Sequence, residues 1–257
     1  MKIFPLSAAP DTGHAARRAT ALRRLIGAGS AFLLTSITLS AGAAELGLSI
    51  TSENCEIALA QSALPARLRG RAATYVWTGD DYATPKTEPG QFHCIVARNH
   101  PTSIIPICVT DSGLDTVLQG IIYKSRLAMQ GVPVDEAEKR FAERAKNGEF
   151  TAPAAPGISY MMSSHNHIYR PQNDSFLNVP AHVMMFAPDV DPEVIGSATF
   201  PGAIANPGVP IAIDSGIHAY IVTFVAEAAD SGEVVEQCGD DWQPPARVTA
   251  EPPGDAQ

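Results

Sequence analysis

Apolar side chains recur along this chain in short runs separated by proline, glycine and acidic turns, and the spacing inside each run predicts its conformation. Between Asp111 and Gly148 the period is helical. Leu114, Val117, Leu118, Ile121, Ile122 and Leu127 fall close to one face. Asp111 or Ser112 is expected to cap that helix, because a side-chain oxygen there accepts an unpaired backbone N–H. Gly131 and Pro133 stop it, and a second helix over residues 135–146 ends at Gly148. The early acids of that second helix (Asp135, Glu136, Glu138) and its later bases (Lys139, Arg140, Arg144, Lys146) complement the helix dipole, as on a solvated face.

Elsewhere the period shortens to that of strands. Residues 72–77, 92–97, 104–109, 158–162, 182–187 and 219–226 read as strands bounded by turn residues, with short pieces at 198–200 and 211–213. Residues 57–68 suggest a short helix interrupted by Pro65. Proline clusters at Pro153/Pro156, Pro201/Pro207/Pro210 and Pro244/Pro245 argue against a helical bundle. The elements predict one α+β domain over residues 44–242, a small mainly antiparallel sheet beside a helical pair. Acids, proline and glycine dominate the C-terminal end, and residues 243–257 read as a disordered tail.

The N-terminal segment has a different pattern. Arg17, Arg18, Arg23 and Arg24 precede an apolar run over residues 25–39, followed by Ala41, Gly42 and Ala43. Basic, then apolar, then small is the order of a secretory signal peptide, here residues 1–43. The 15-residue run is shorter than the roughly 20 residues a membrane span needs, so cleavage without a stable membrane anchor is expected. Arg23-Arg24 has a partial twin-arginine character, and no cysteine lies near the cleavage point to take a lipid. The expected location is periplasmic or secreted.

Cleavage changes the electrostatic picture. It removes five basic residues (Lys2, Arg17, Arg18, Arg23, Arg24) and one acid (Asp11), carrying the formal charge from −9 to −13. Such a surface repels phosphate backbones and excludes nucleic acid as a partner. A local basic pocket within the negative whole remains compatible with an acidic ligand. Export also changes how Cys55, Cys94, Cys108 and Cys238 are read, because an even count in an oxidising compartment favours disulfides. Three pairings are open. The preferred one joins Cys94 to Cys108 across the turn-like stretch 98–102 and Cys55 to Cys238, tying the start of the domain to its end. The competing reading is a metal site or reactive thiol at His93-Cys94, without paired-cysteine spacing to support it.

One window is rich in candidate ligands: Met161, Met162, His165, His167, His182, Met184 and Met185. If 158–168 and 181–187 pair as antiparallel strands, His165 and His167 share a face and His182 approaches from the partner strand. Three imidazoles with an open position suit zinc, and imidazole with thioether suits copper. Methionine also fills irregular cores, a Met-Met pair on a strand points to opposite faces, and residues 163–167 read equally as a polar loop. Ser163 or Ser164 with His182 and Asp214 is a weaker nucleophile–base–orienter set, without a glycine-flanked serine elbow. His218 beside Asp214 reads as a turn contact. Arg67, Arg69 and Arg71 form a small basic patch that can receive an anion. Phosphate-cradling glycine loops and dinucleotide fingerprints are absent from the sequence.

The segments Gly157-Ile158-Ser159-Tyr160-Met161-Met162-Ser163 and Pro180-Ala181-His182-Val183-Met184-Met185-Phe186-Ala187-Pro188, with Gly216-Ile217-His218-Ala219 leading into a strand, resemble a family of uncharacterised exported bacterial proteins. The resemblance runs from about Cys94 to Val225. It implies no activity and no catalytic residue, and shifts attention to His182. Two functions are therefore expected: a periplasmic module binding a small molecule or protein, or a metal-dependent (zinc or copper) hydrolase or metal-handling protein centred on His182.

Overall fold

Strand alternation sorts the buried side chains onto two faces of one sheet, and each face acquires its own helical cover. In the computed structural model, residues 50, 52–83, 90–197, 209–213, 216–225, 228 and 232–239 are described. The expected signal peptide (1–43), the tail (243–257), the piece at 198–200 and Asp214 lie outside them. The described residues belong to one unit spanning 44–257.

The sheet has seven strands: β1 (Ala72–Thr74), β2 (Phe92–Ala97), β3 (Ile105–Thr110), β4 (Ile158–Met161), β7 (His182–Phe186), β9 (Tyr220–Phe224) and β8 (Ile211–Ile213), in that spatial order. Only β1 and β2 run parallel, so the sheet is mainly antiparallel, as expected. A separate hairpin, β5 (His167–Arg170) and β6 (Ser175–Asn178), pairs within itself. Its alternation was hidden by polar residues, and its turn places Asp174 at φ 47°.

Ile95, Ile107, Val109, Met161, Met184, Tyr220 and Val222 pack on one face with Val117, Leu118 and Ile122 of α3 (Val117–Met129). A turn through Gly131, at φ 77°, leads into α4 (Val134–Lys146), completing the expected helical pair. The expected start of α3 needs correction. Asp111–Gly113 forms a separate 3₁₀ turn, and α3 begins after Thr116 without a side-chain cap.

The opposite face is covered by the helical stretch expected around residues 57–68 and broken at Pro65, and by a further short helix that the apolar pattern did not announce. Leu59, Leu64, Leu68, Phe92, Val96, Ile104 and Val234 bury together with both cysteine pairs. Here lie α1 (Glu53–Gln61), α2 (Ala66–Arg69) and α5 (Gly232–Cys238). Ser52 caps α1 by accepting from the Cys55 N–H at 3.2 Å, and Pro65 separates α1 from α2. Cys94 and Cys108 face each other in the β2–β3 register and are bonded, and Cys55 on α1 is bonded to Cys238 on α5. The preferred pairing therefore holds, and Cys94 is no free thiol.

Candidate functional site

The window of histidines and methionines is split by the fold. β4 and β7 do pair, with Met161 opposite His182 and Ser159 opposite Met184. The strand does not continue to residue 168, however. The Met162 N–H leaves the sheet to bond the Ala63 carbonyl at 3.1 Å, and the chain turns. Asn166 holds that turn: its buried amide donates to the carbonyls of Met161 and Ser163, each at 2.9 Å. His167 then opens the separate hairpin, exchanging backbone bonds with Ile104.

His165, His167 and His182 consequently serve three different places. His182 lies on β7 with Nδ1 donating to the Pro180 carbonyl at 2.7 Å and its ring edge-on to Phe224. His165 lies in the turn, its backbone N–H donating to Ser163 Oγ at 3.1 Å. Among the described residues no group of three or more His, Cys, Asp or Glu side chains is arranged to hold a metal ion. Burial pushes His165 and His182 below the ordinary imidazole range, which favours their neutral forms. Ser163 is fully buried, with its hydroxyl 2.7 Å from that of Ser62, so it braces the turn. In the basic patch, Arg69 pairs with Glu233 at 3.3 Å and Arg71 lies 5.8 Å from the Phe92 ring centre.

A hydrogen-bonded relay that the sequence did not suggest lies on β2. His93 Nε2 is 2.7 Å from Asp111 Oδ1, and Nδ1 is 3.3 Å from the Tyr75 hydroxyl. Donation from Nε2 to the carboxylate leaves Nδ1 to accept from tyrosine, so the imidazole is satisfied on both sides.

A cavity of about 220 Å³ lies between the sheet and the α3–α4 hairpin. Its roof is a stripe at helical spacing, Ile121, Lys124, Ser125 and Ala128 on α3, with Val134, Ala137 and Glu138 on α4. Its floor is Ala97, Ile105, Ile107, Met161, Met184 and Tyr220 on the strands. The space exists because Ala97, Ser125, Ala128 and Ala137 are too small to fill the gap between the layers. Met161 and Met184 share this face, whereas their neighbour Met185 is 39% exposed on the other. The methionine window thus supplies soft apolar lining, with half of it converging.

The polar side chains on the lining set its electrostatics. Lys124 on α3 bonds Glu138 on α4 at 2.9 and 3.2 Å, joining the two helices of the roof. His218 is held between Gly120 and Phe141 and donates from Nε2 to the Thr151 carbonyl at 3.2 Å; burial pushes it down as well. Asn99 spends its amide on the hairpin, donating to the Tyr169 carbonyl at 2.8 Å and accepting from its N–H at 3.1 Å. Arg98 is 8% exposed, and its Nη1 donates to the Ser103 carbonyl at 2.7 Å. Burial lowers the Arg98 pKa, countered by Tyr82 and Glu56. Burial also raises Glu56, opposed by the Trp77 N–H and Arg98, and pushes the Tyr82 hydroxyl up to about 12. The one sequence signal for Arg98 was its place directly after an apolar run, in a stretch that reads as a turn.

These features define an α+β protein with two disulfides and a small, mostly apolar cavity between its sheet and a helical hairpin. No known family profile, curated protein or solved structure matches the chain. No described helix is long and apolar enough to cross a membrane.

Proposed function

We propose that this is an exported ligand-binding module that holds a small apolar molecule in the cavity beneath α3 and α4. The carrying observation is the cavity itself, about 220 Å³ with a floor of Ile105, Ile107, Met161, Met184 and Tyr220. Engineered apolar cavities of about 150 Å³ stay dry and bind benzene, so this one suits a body somewhat larger than a benzene ring. Its lining follows the usual plan of binding pockets, apolar walls with a few placed polar groups. Export is supported by the two disulfides, which persist in oxidising compartments, and by the N-terminal pattern of residues 1–43.

Titrating the protein with neutral aromatic probes, benzene and indole, while following the unfolding temperature tests this reading. The temperature is expected to rise with probe concentration, because a ligand bound only by the native state stabilises it by mass action. Ala137→Phe places a ring in the cavity and is expected to abolish the rise. Equal responses of both proteins, or no response in either, would refute a ligand in this cavity.

A further inference from the structure

We infer that the Lys124–Glu138 ion pair is the gate through which a ligand enters the cavity, and that it opens onto a groove beside α4. This rests on the cavity being the binding site. The groove has a volume of about 610 Å³ and is lined by Phe141, Ala142, Ala145 and Lys146 of α4, with Gly216 and Ile217 before β9. Lys124, Glu138 and His218 line both the groove and the cavity, so these three side chains form the wall between them. His218 is the fixed part of that wall, packed against Gly120 and Phe141 and bonded to the Thr151 carbonyl. Lys124 and Glu138 are the movable part. Each reaches across from its own helix on a long flexible side chain, and those side chains are 26% and 51% exposed.

An ion pair at that exposure holds weakly, because water replaces most of what the partners lose on parting. Each partner also has somewhere to go. Lys124 Nζ already lies 5.2 Å from the centre of the Phe141 ring, whose face keeps the cation when the carboxylate leaves. Glu138 needs only a change of rotamer to point into water. A second hollow, of about 270 Å³, shares Asn99, Ala128 and Val134 with the cavity, but that wall is tied down. Asn99 makes two bonds to the Tyr169 backbone, and the Ala128 carbonyl accepts from the Gly131 N–H at 2.9 Å where α3 ends. Opening the cavity there moves backbone, whereas opening it at Lys124 and Glu138 turns two side chains. Exposed side chains change rotamer far faster than packed helices shift, so the ion pair is the quicker route. Such a gate sets how fast a ligand exchanges and leaves its affinity unchanged.

Exchange of 5-fluoroindole, a neutral probe, read by fluorine NMR on the mature protein tests this. All four native cysteines are bonded, so the double variant Lys124→Cys/Glu138→Cys offers two unique thiols. Joining them with a short bis-maleimide is expected to slow both entry and exit at least tenfold with Kd unchanged. Capping the same thiols with N-methylmaleimide, which adds similar bulk without a link, is expected to leave exchange fast. Glu138→Gln removes the charge and keeps the shape; its entry and exit rates are expected to rise together by about twofold to fivefold, the factor an exposed pair supplies. That variant decides the matter if the cysteine pair does not fold. Equal exchange in the joined and capped forms, or unchanged rates in Glu138→Gln, would overturn the gate and leave the cavity standing. A wild-type protein that binds no 5-fluoroindole would overturn both.

Discussion

The bridge between Cys55 and Cys238 closes a loop of 183 residues, against 14 for the bridge between Cys94 and Cys108. In the chain-entropy account, removing them costs about 5 and about 3 kcal/mol respectively through the unfolded state. The structure adds a difference in kind. Cys94 and Cys108 sit opposite each other in paired strands, whose ladder survives the substitution. Cys238 is the last residue of α5, a seven-residue helix otherwise tied by buried Val234 and by the Arg69–Glu233 pair. Burying that valine is worth about 1.5–3 kcal/mol and an exposed ion pair under about 1. A helix this short does not persist alone in water. In the double variant Cys55→Ala/Cys238→Ala, α5 is therefore expected to detach, so that the global loss falls below about 5 kcal/mol. Hydrogen exchange read by mass spectrometry should show α5 amides exchanging freely while β2 and β3 stay protected. Guanidinium unfolding should show a lowered midpoint. An α5 as protected as β2, with an unchanged midpoint, would refute the reasoning.

Three further outcomes follow from local geometry. Asn166→Ala removes two buried donations to Met161 and Ser163 and strands their carbonyls, so a loss of about 2–4 kcal/mol is expected in chemical denaturation; a loss under about 0.5 would show that the turn holds itself. Gly90→Ala drives a Cβ into the Arg71 carbonyl beside the β1–β2 pairing, and backbone cannot step aside cheaply; at least about 2 kcal/mol of destabilisation is expected from the same assay. The third concerns pH. Burial holds His165, His182 and His218 below their ordinary value of 6.5, so the unfolded chain takes up protons first as pH falls. Their contribution is complete above about pH 6.5 and is lost as pH falls towards their folded values. Glu56, raised above its ordinary 4.5, has the opposite sign: its contribution is complete below that value and is lost as pH rises through the folded one. The unfolding temperature is therefore expected to drop between pH 7.5 and 5.5, less so in His182→Asn, and a flat profile across that range would count against buried neutral histidines.

The candidate site was only partly legible in the sequence. Met161, Met184 and His182 were singled out by composition, and all three lie on the sheet face that α3 and α4 cover, Met161 and Met184 on the cavity floor. What misled was the assumption that the strand continued through His167. One buried asparagine, pairing with carbonyls three and five residues back, ends it at Met161 instead, and side-chain capping of a turn leaves no periodic trace. Arg98 was passed over because an arginine in a turn reads as exposed. Its burial depends on Ser103 five residues on and on a helix that begins almost twenty residues later.

By itself the sequence determined the α+β class, the α3–α4 pair, the helical stretch broken at Pro65 and most core strands. These follow from periods of two and 3.6 and from stop residues, which act over a few neighbours. The tertiary structure alone decided the strand order, which of the three cysteine pairings forms, the α5 helix, the dispersal of the histidines and the cavity. Each of those depends on which distant side chains meet and how well their volumes fill the space between layers. A gap between Ala97, Ser125 and Ala137 belongs to no one segment.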